Sequence, residues 1–400
     1  MIINNNKLVL FGAGKIGRSF IAQLFSCGGY EVVFIDLAKP IIDELNLRGN
    51  YNIIIKAEKE EVINIKNVRG ILVSEEQKVI NEIATAGILA VSVGSHGLVS
   101  AIHLISKGLL KRYEAGKDNP LDIIIAENLR DAGGYVRNML KNYLPGWYPI
   151  DKLVGLIETS IGKMVPIMPK KDMEEDILQV FAEPYNTLIL DKLAFINPIP
   201  EIKGLAPEEN MKAWVDRKLF IHNLGHVCAA YCGSFYYPDL IYMHEVLEHD
   251  EVRDFTREAM LQSSKILDAI HPNVFTTTHL HEHINDLISR FRNKALGDTV
   301  FRVGCDLQRK LSPNDRLLAP FHAGIRLKFP VDKIAEAIFF GIHFKAKDEN
   351  KQFLANDAEF FTMVNTGGLK QVLKKICNLD ENEFEMVGKQ FIKHGRSMEI

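Results

Sequence analysis

The first apolar run of the chain, Lys7-Leu8-Val9-Leu10-Phe11, is short and strand-like. From Arg18 to Phe25 the apolar positions recur at helical spacing, and Glu31-Val32-Val33-Phe34-Ile35-Asp36 returns to the pattern of a buried strand. The same reading predicts strands over 71–73, 88–93, 123–126 and 153–158, with helices between them over 41–47, 79–85, 98–113 and 132–144. Strands alternating with helices imply an α/β fold built on a doubly wound, mostly parallel sheet. Past Pro198-Ile199-Pro200, a turn-rich linker, strand signals fade. Helices are predicted there over 210–233, 239–248, 252–271, 282–292 and 331–345. The pattern divides the chain into an α/β domain over 1–197 and a mainly α-helical domain over 198–400.

Composition narrows the picture. At 400 residues the chain is too long for one core, and 47% hydrophobic with 25% charged residues is ordinary for a globular protein. A formal charge of −3 supplies no field to attract nucleic acid or an acidic membrane. Residues 83–106 lack Asp, Glu, Lys and Arg, long enough to suggest a membrane span. Gly94-Ser95-His96-Gly97 interrupts that run, so a strand, a glycine loop and a helix account for it better than lipid does. No basic region followed by an apolar stretch opens the chain, as a signal peptide would require. The five cysteines (Cys27, Cys228, Cys232, Cys305 and Cys377) are odd in number and form no CxxC pair, which fits a reducing cytoplasm. The expected partner is a small molecule, bound by a monomer or small homo-oligomer.

Gly12-Ala13-Gly14-Lys15-Ile16-Gly17 lies between the first strand and the first helix. Gly12 permits the tight turn, Gly14 lets backbone approach a pyrophosphate, and Gly17 lets the helix pack on the sheet. The helix start at Lys15 and Ile16 offers unpaired amides to phosphate. Asp36 closes the second strand, where a carboxylate can accept from ribose hydroxyls and repel a 2′-phosphate. Strand, loop, helix, strand and acid in that order predict a Rossmann-type domain that binds NAD. Gly94 and Glu127, after two later strands, complete the expected cofactor set.

The second domain holds Arg217-Lys218-Leu219-Phe220-Ile221-His222-Asn223-Leu224-Gly225-His226. Wound as a regular α-helix from Lys218, His222 falls near about 40°, His226 near about 80° and Asn223 near about 140°. Gly225, Ala229 and Ala230 share the polar arc and leave space beside it. A buried lysine there can accept a proton once desolvation lowers its pKa.

Together the glycine loop, Asp36, Glu127-Asn128, and Lys218 with Asn223 and His226 at offsets of five and eight resemble the polyol-specific long-chain dehydrogenases, the mannitol dehydrogenase family. Phe11–Arg18, Arg217–His226 and Arg302–Arg316 carry most of the likeness, which is strongest to the branch acting on polyol phosphates. The resemblance implies oxidation of an alcohol without metal, with substrate and NAD meeting in a cleft between the domains. It makes Lys218 the general base, Asn128 and Asn223 donors to the reacting oxygen, and His226 the partner of a neighbouring hydroxyl. Arg302 and Lys310 would line the polyol site. One departure stands out: where the family has Asp-Arg, this chain has Gly162-Lys163, which keeps one positive charge at Lys163.

Three alternatives stay open. The free-polyol and hexuronate branches of the family share the same reacting residues. A zinc site could draw on His222 and His226, on Cys228 and Cys232, or on the cluster His279, His281 and His283. A Rossmann domain could also serve as an NADH-binding redox sensor.

Overall fold

Strands form where apolar residues serve both faces of a sheet. In β1 (Asn4–Phe11), Leu8 and Leu10 enter one core while Val9 and Phe11 enter another, all fully buried. That pattern demands a covering layer on each side. The computed structural model describes residues 2–396, and the chain divides into two compact units, Met1–Val215 and Asp216–Ile400.

Besides β1, the first unit contains β2 (Glu31–Asp36), β3 (Asn50–Ile55), β4 (Glu61–Lys66), β5 (Val68–Leu72), β6 (Ala86–Val91), β7 (Leu121–Ile125), β8 (Val154–Ser160), β9 (Val180–Ala182), β10 (Leu188–Asp191) and β11 (Leu205–Glu208). Its main sheet runs β11-β10-β8-β7-β6-β1-β2-β5. All neighbours are parallel except the antiparallel pair β8 and β10. Strand order reverses at β1, between β2 on one side and β6 on the other. In such sheets the crevice beyond the strand C-termini at the reversal is the ligand site.

The expected α/β sheet is present, with differences. β5 starts at Val68, before the apolar triplet that suggested it. Gly94-Ser95-His96-Gly97 is not a loop: the helix begins at Gly94 and runs to Ala115. A small second sheet, β4-β3-β9, was not expected. In β3, Tyr51, Ile53 and Ile55 alternate inward and join the core containing Leu8 and Leu10. The first unit also runs past the anticipated linker, because β11 pairs with β10 beyond Pro200.

The second unit is helical. Its central helix, Leu224–Tyr236, is buried on nearly every side and packs against Asp250–Ile270 and Asp332–Ile342. The helix expected over 239–248 shrinks to Met243–Val246, and further helices occur at Ala355–Gly367 and Glu381–Lys393. Among the described residues no helix is long and apolar enough to cross a membrane.

Candidate active site

In the first unit the glycine loop sits at the strand reversal. Gly12 has φ +101°, and a Cβ there would stand 2.1 Å from Ser92 O, the residue that follows β6. A Cβ on Gly17 would stand 2.1 Å from Gly12 O. Both glycines are required by close backbone approach. At Gly14 a Cβ would meet nothing within 4 Å, so that stretch of backbone faces open space. Lys15 is exposed beside it, and Ile16 packs partly onto the core. Arg18 holds the loop from behind: its Nε donates to Ala13 O (2.8 Å) and its Nη1 to Ile177 O and Leu178 O (2.9 and 2.6 Å).

Asp36 ends β2 with its carboxylate accepting from Ala13 N (2.6 Å) and Ala38 N (2.8 Å). The acid therefore reaches the glycine loop itself. Glu127 plays a similar part for the facing segment. Its Oε1 accepts from Val93 N (2.7 Å) and Gly94 N (2.9 Å), fixing the backbone where the Gly94–Ala115 helix begins. Burial pushes the Glu127 carboxyl up, and these two bonds oppose the shift. Asn128 follows at the C-terminal end of β7, exposed. The sheet thus brings the predicted cofactor residues to one edge, although Glu127 acts on loop backbone.

Lys163 lies within the same unit but is 6% exposed. Its Nζ donates to Gln23 Oε1 (3.0 Å) and Asn186 Oδ1 (2.8 Å) and lies over the Phe20 ring. Its charge is turned inward, away from solvent.

In the second unit the lysine segment departs from α-helical geometry. Lys218–Asn223 forms a π-helical turn between the α-helices Met211–Arg217 and Leu224–Tyr236. Hydrogen bonding from i to i+5 widens the helix, and such turns cluster at functional sites. The wider turn draws residues five apart toward one face. Lys218, Asn223 and His226 are all partly accessible, while Phe220, Ile221, His222 and Leu224 are buried. The α-helical projection placed Asn223 well away from Lys218; the wider π turn brings it nearer, while His222 is buried and stays close enough for the Lys218 charge to act on it. The expected space beside Gly225 is filled as well, since a Cβ there would stand 2.4 Å from Met260 Sδ. Ala229 and Ala230 are fully buried. These small residues admit a neighbouring helix, not a ligand.

Burial, with help from the nearby Arg316 charge, lowers the Lys218 ammonium to about 8. The imidazole of His226 stacks on Phe291 (centroids 4.5 Å apart, planes 7° apart), and its Nε2 lies 3.2 Å from Asp298 Oδ2. Asp298 in turn receives both Arg302 Nε and Nη2 at 2.6 Å. Neither Asp298 nor Phe291 was anticipated. The one available signal was the acid four residues before Arg302, at helix-pair spacing. Lys310 is 5% exposed, donates to Val303 O (2.6 Å) and is lowered to about 8 by burial. Arg316 is held at Nε by Asp315 Oδ1 (2.7 Å).

The histidine cluster does open a helix, Thr277–Phe291, capped by Thr276. His281 is exposed, whereas His279 and His283 are partly buried one turn apart; His279 Nε2 meets Arg217 Nη1 at 3.2 Å. Among the described residues no three His, Cys, Asp or Glu side chains are arranged to hold a metal ion.

Known proteins share this fold. The fold is shared with Pseudomonas fluorescens mannitol 2-dehydrogenase, solved as a ternary complex with NAD and D-mannitol: TM-score 0.73 at 16% identity, covering 97% of this chain and 94% of that one. It is shared also with a substrate-free D-sorbitol dehydrogenase: TM-score 0.77 at 17% identity, covering 98% and 94%. Residues 6–204 match the mannitol dehydrogenase Rossmann domain and residues 210–383 the mannitol dehydrogenase C-terminal domain. With both domains matched in order, this chain belongs to the mannitol dehydrogenase family.

Proposed function

We propose that this protein is an NAD-dependent, metal-independent dehydrogenase that interconverts mannitol 1-phosphate and fructose 6-phosphate, with Lys218 as the general base. The observation that carries the reading is a partly accessible lysine lowered to about 8 in a π turn that also holds Asn223, with His226 three residues beyond. A lysine with such a pKa can take a hydroxyl proton near neutral pH and return it in reverse. Asn223 supplies an amide donor to an oxygen gaining negative charge. His226 holds a neighbouring hydroxyl.

The first unit suits a dinucleotide: open backbone at Gly14 for the pyrophosphate, helix starts at Lys15 and Gly94, and Asp36 for the adenosine ribose. Bound NAD supplies the hydride acceptor. All five cysteines are free thiols, which supports a reducing cytoplasm as the setting.

The phosphate assignment rests on Arg302, Lys310 and Arg316. A second reading, oxidation of a free polyol, is favoured by one observation: Arg302 is already paired with Asp298, and the Lys310 and Lys163 ammonium groups are turned to internal acceptors. An NADH-oxidation screen with fructose 6-phosphate, fructose, fructuronate and tagaturonate separates these. The expected result is a kcat/KM for fructose 6-phosphate at least about 100-fold above fructose, since a site built for a charged group discriminates strongly against its absence. Equal values would remove the phosphate from the reading. Turnover of none of the four would remove the dehydrogenase reading itself. Stoichiometric zinc in purified, tag-free protein would count against the metal-free chemistry.

A further inference from the structure

His226 and its surroundings carry an inference that rests on the proposed role of this residue at a substrate hydroxyl. A neutral imidazole has one nitrogen that donates and one that accepts, and its neighbours choose which. Nε2 of His226 is buried, and Asp298 Oδ2 stands 3.2 Å from it, close but outside good hydrogen-bond geometry. The Asp298 side chain is 4% exposed and also grips Arg302 through both oxygens. Burial alone would raise its pKa, yet His226 and the Arg302 guanidinium outweigh that and hold it at about 2. At neutral pH it is therefore a carboxylate, which can only accept.

An unprotonated Nε2 would set a lone pair against that carboxylate in a desolvated site. A proton on Nε2 turns the same contact into an attraction. Burial also keeps the ring neutral, although Asp298 pulls the other way and Arg302 and Arg316 push with it. The flat stack on Phe291 limits rotation of the ring. With Nε2 enclosed, the 15% of the side chain open to solvent leaves Nδ1 as the nitrogen within reach of a ligand.

We propose that Asp298 is a positioning residue that fixes the proton of His226 on Nε2, so that Nδ1 accepts a hydrogen bond from a substrate hydroxyl. The site then reads a hydroxyl next to the reacting carbon, as a donor, and disfavours a carbonyl or ether oxygen there, which could only oppose the Nδ1 lone pair. A mere packing role for Asp298 would leave either tautomer acceptable.

The test is a nitrogen-15 NMR spectrum of the full chain labelled at histidine side chains, with the His226 signals identified by their loss in His226→Gln. Proton-bearing Nε2 with bare Nδ1 in the substrate-free wild type is the expected pattern. A proton on Nδ1 would overturn the proposal. In Asp298→Asn the asparagine amide can donate to Nε2, so the proton should move to Nδ1. With NADH affinity unchanged, kcat/KM should then fall by about tenfold or more, the scale seen when a partner that orients a working histidine is removed. Retention of the Nε2 proton together with full kcat/KM in that variant would also overturn it. If Asp298→Asn fails to fold, the wild-type spectrum decides alone. The spectrum is recorded without substrate, so a failed ketose screen beside an Nε2 proton would refute the proposed function and leave the tautomer assignment standing.

Discussion

Replacing Lys218 by Met should stabilise the protein while abolishing its chemistry, and the gain should depend on pH. Methionine keeps the aliphatic stem that packs within the π turn and removes only the charge. The folded state lowers the ammonium from 10.5 to about 8, mainly through burial. Each pKa unit corresponds to about 1.4 kcal/mol, so holding this proton in the folded state costs about 3 kcal/mol near neutral pH. Partial access of the side chain to solvent makes that an upper figure. Below pH about 8 both folded and unfolded chains carry the proton and the whole cost applies. Between about 8 and 10.5 only the unfolded chain carries it, and the cost shrinks to about 1 kcal/mol near pH 10. Lys218→Met should therefore raise the denaturant midpoint of the helical unit clearly near pH 7 and much less near pH 10. Urea unfolding at the two pH values, followed by circular dichroism, reads the difference. Equal shifts at both pH values, or destabilisation near pH 7, would mean that the folded protein satisfies this ammonium. Lys218 would then be no poised base.

Two further outcomes follow from the same geometry. In the oxidising direction kcat/KM should climb with pH and level off above about 8, as the Lys218 ammonium gives up its proton, whereas reduction should fall over the same range; a flat profile in both directions would exclude Lys218 as the titrating group. Asp36→Ala frees the Ala13 and Ala38 amides and removes the charge proposed to face a ribose 2′-position, so affinity for NAD should drop by about tenfold while the preference over NADP narrows, both measurable by fluorescence titration with the reduced cofactors.

Much of the nucleotide unit was legible because its strands announce themselves locally. Leu8 to Phe11, Val32 to Ile35 and Leu89 to Val91 are continuous apolar runs buried on both faces, and the glycine loop follows the first of them. The β3–β4 hairpin was written in a weaker code, the alternation of Tyr51, Ile53 and Ile55, and β9 to β11 are short strands defined by distant partners. In the helical unit the offsets of five and eight between Lys218, Asn223 and His226 were visible, but the π turn that gives them meaning was not. Whether a helix bonds to its fourth or fifth neighbour is settled by packing around Phe220, Ile221 and His222, which no local propensity records. The inward turn of Lys163 was equally hidden, since Gln23 stands far from it along the chain.

The π turn at Lys218–Asn223 amounts to one residue more than an α-helix needs between the Met211–Arg217 helix and the core helix that follows. Take out that surplus and the segment could wind as an unbroken helix, with Asn223 and His226 four and seven residues from Lys218, offsets that a regular α-helix also gathers on one side. A residue lost from a regular stretch of either flanking helix would instead turn everything before it by about 100° against the rest. The turn is thus the place where this helix can absorb a change of length, and the flanks are where it cannot.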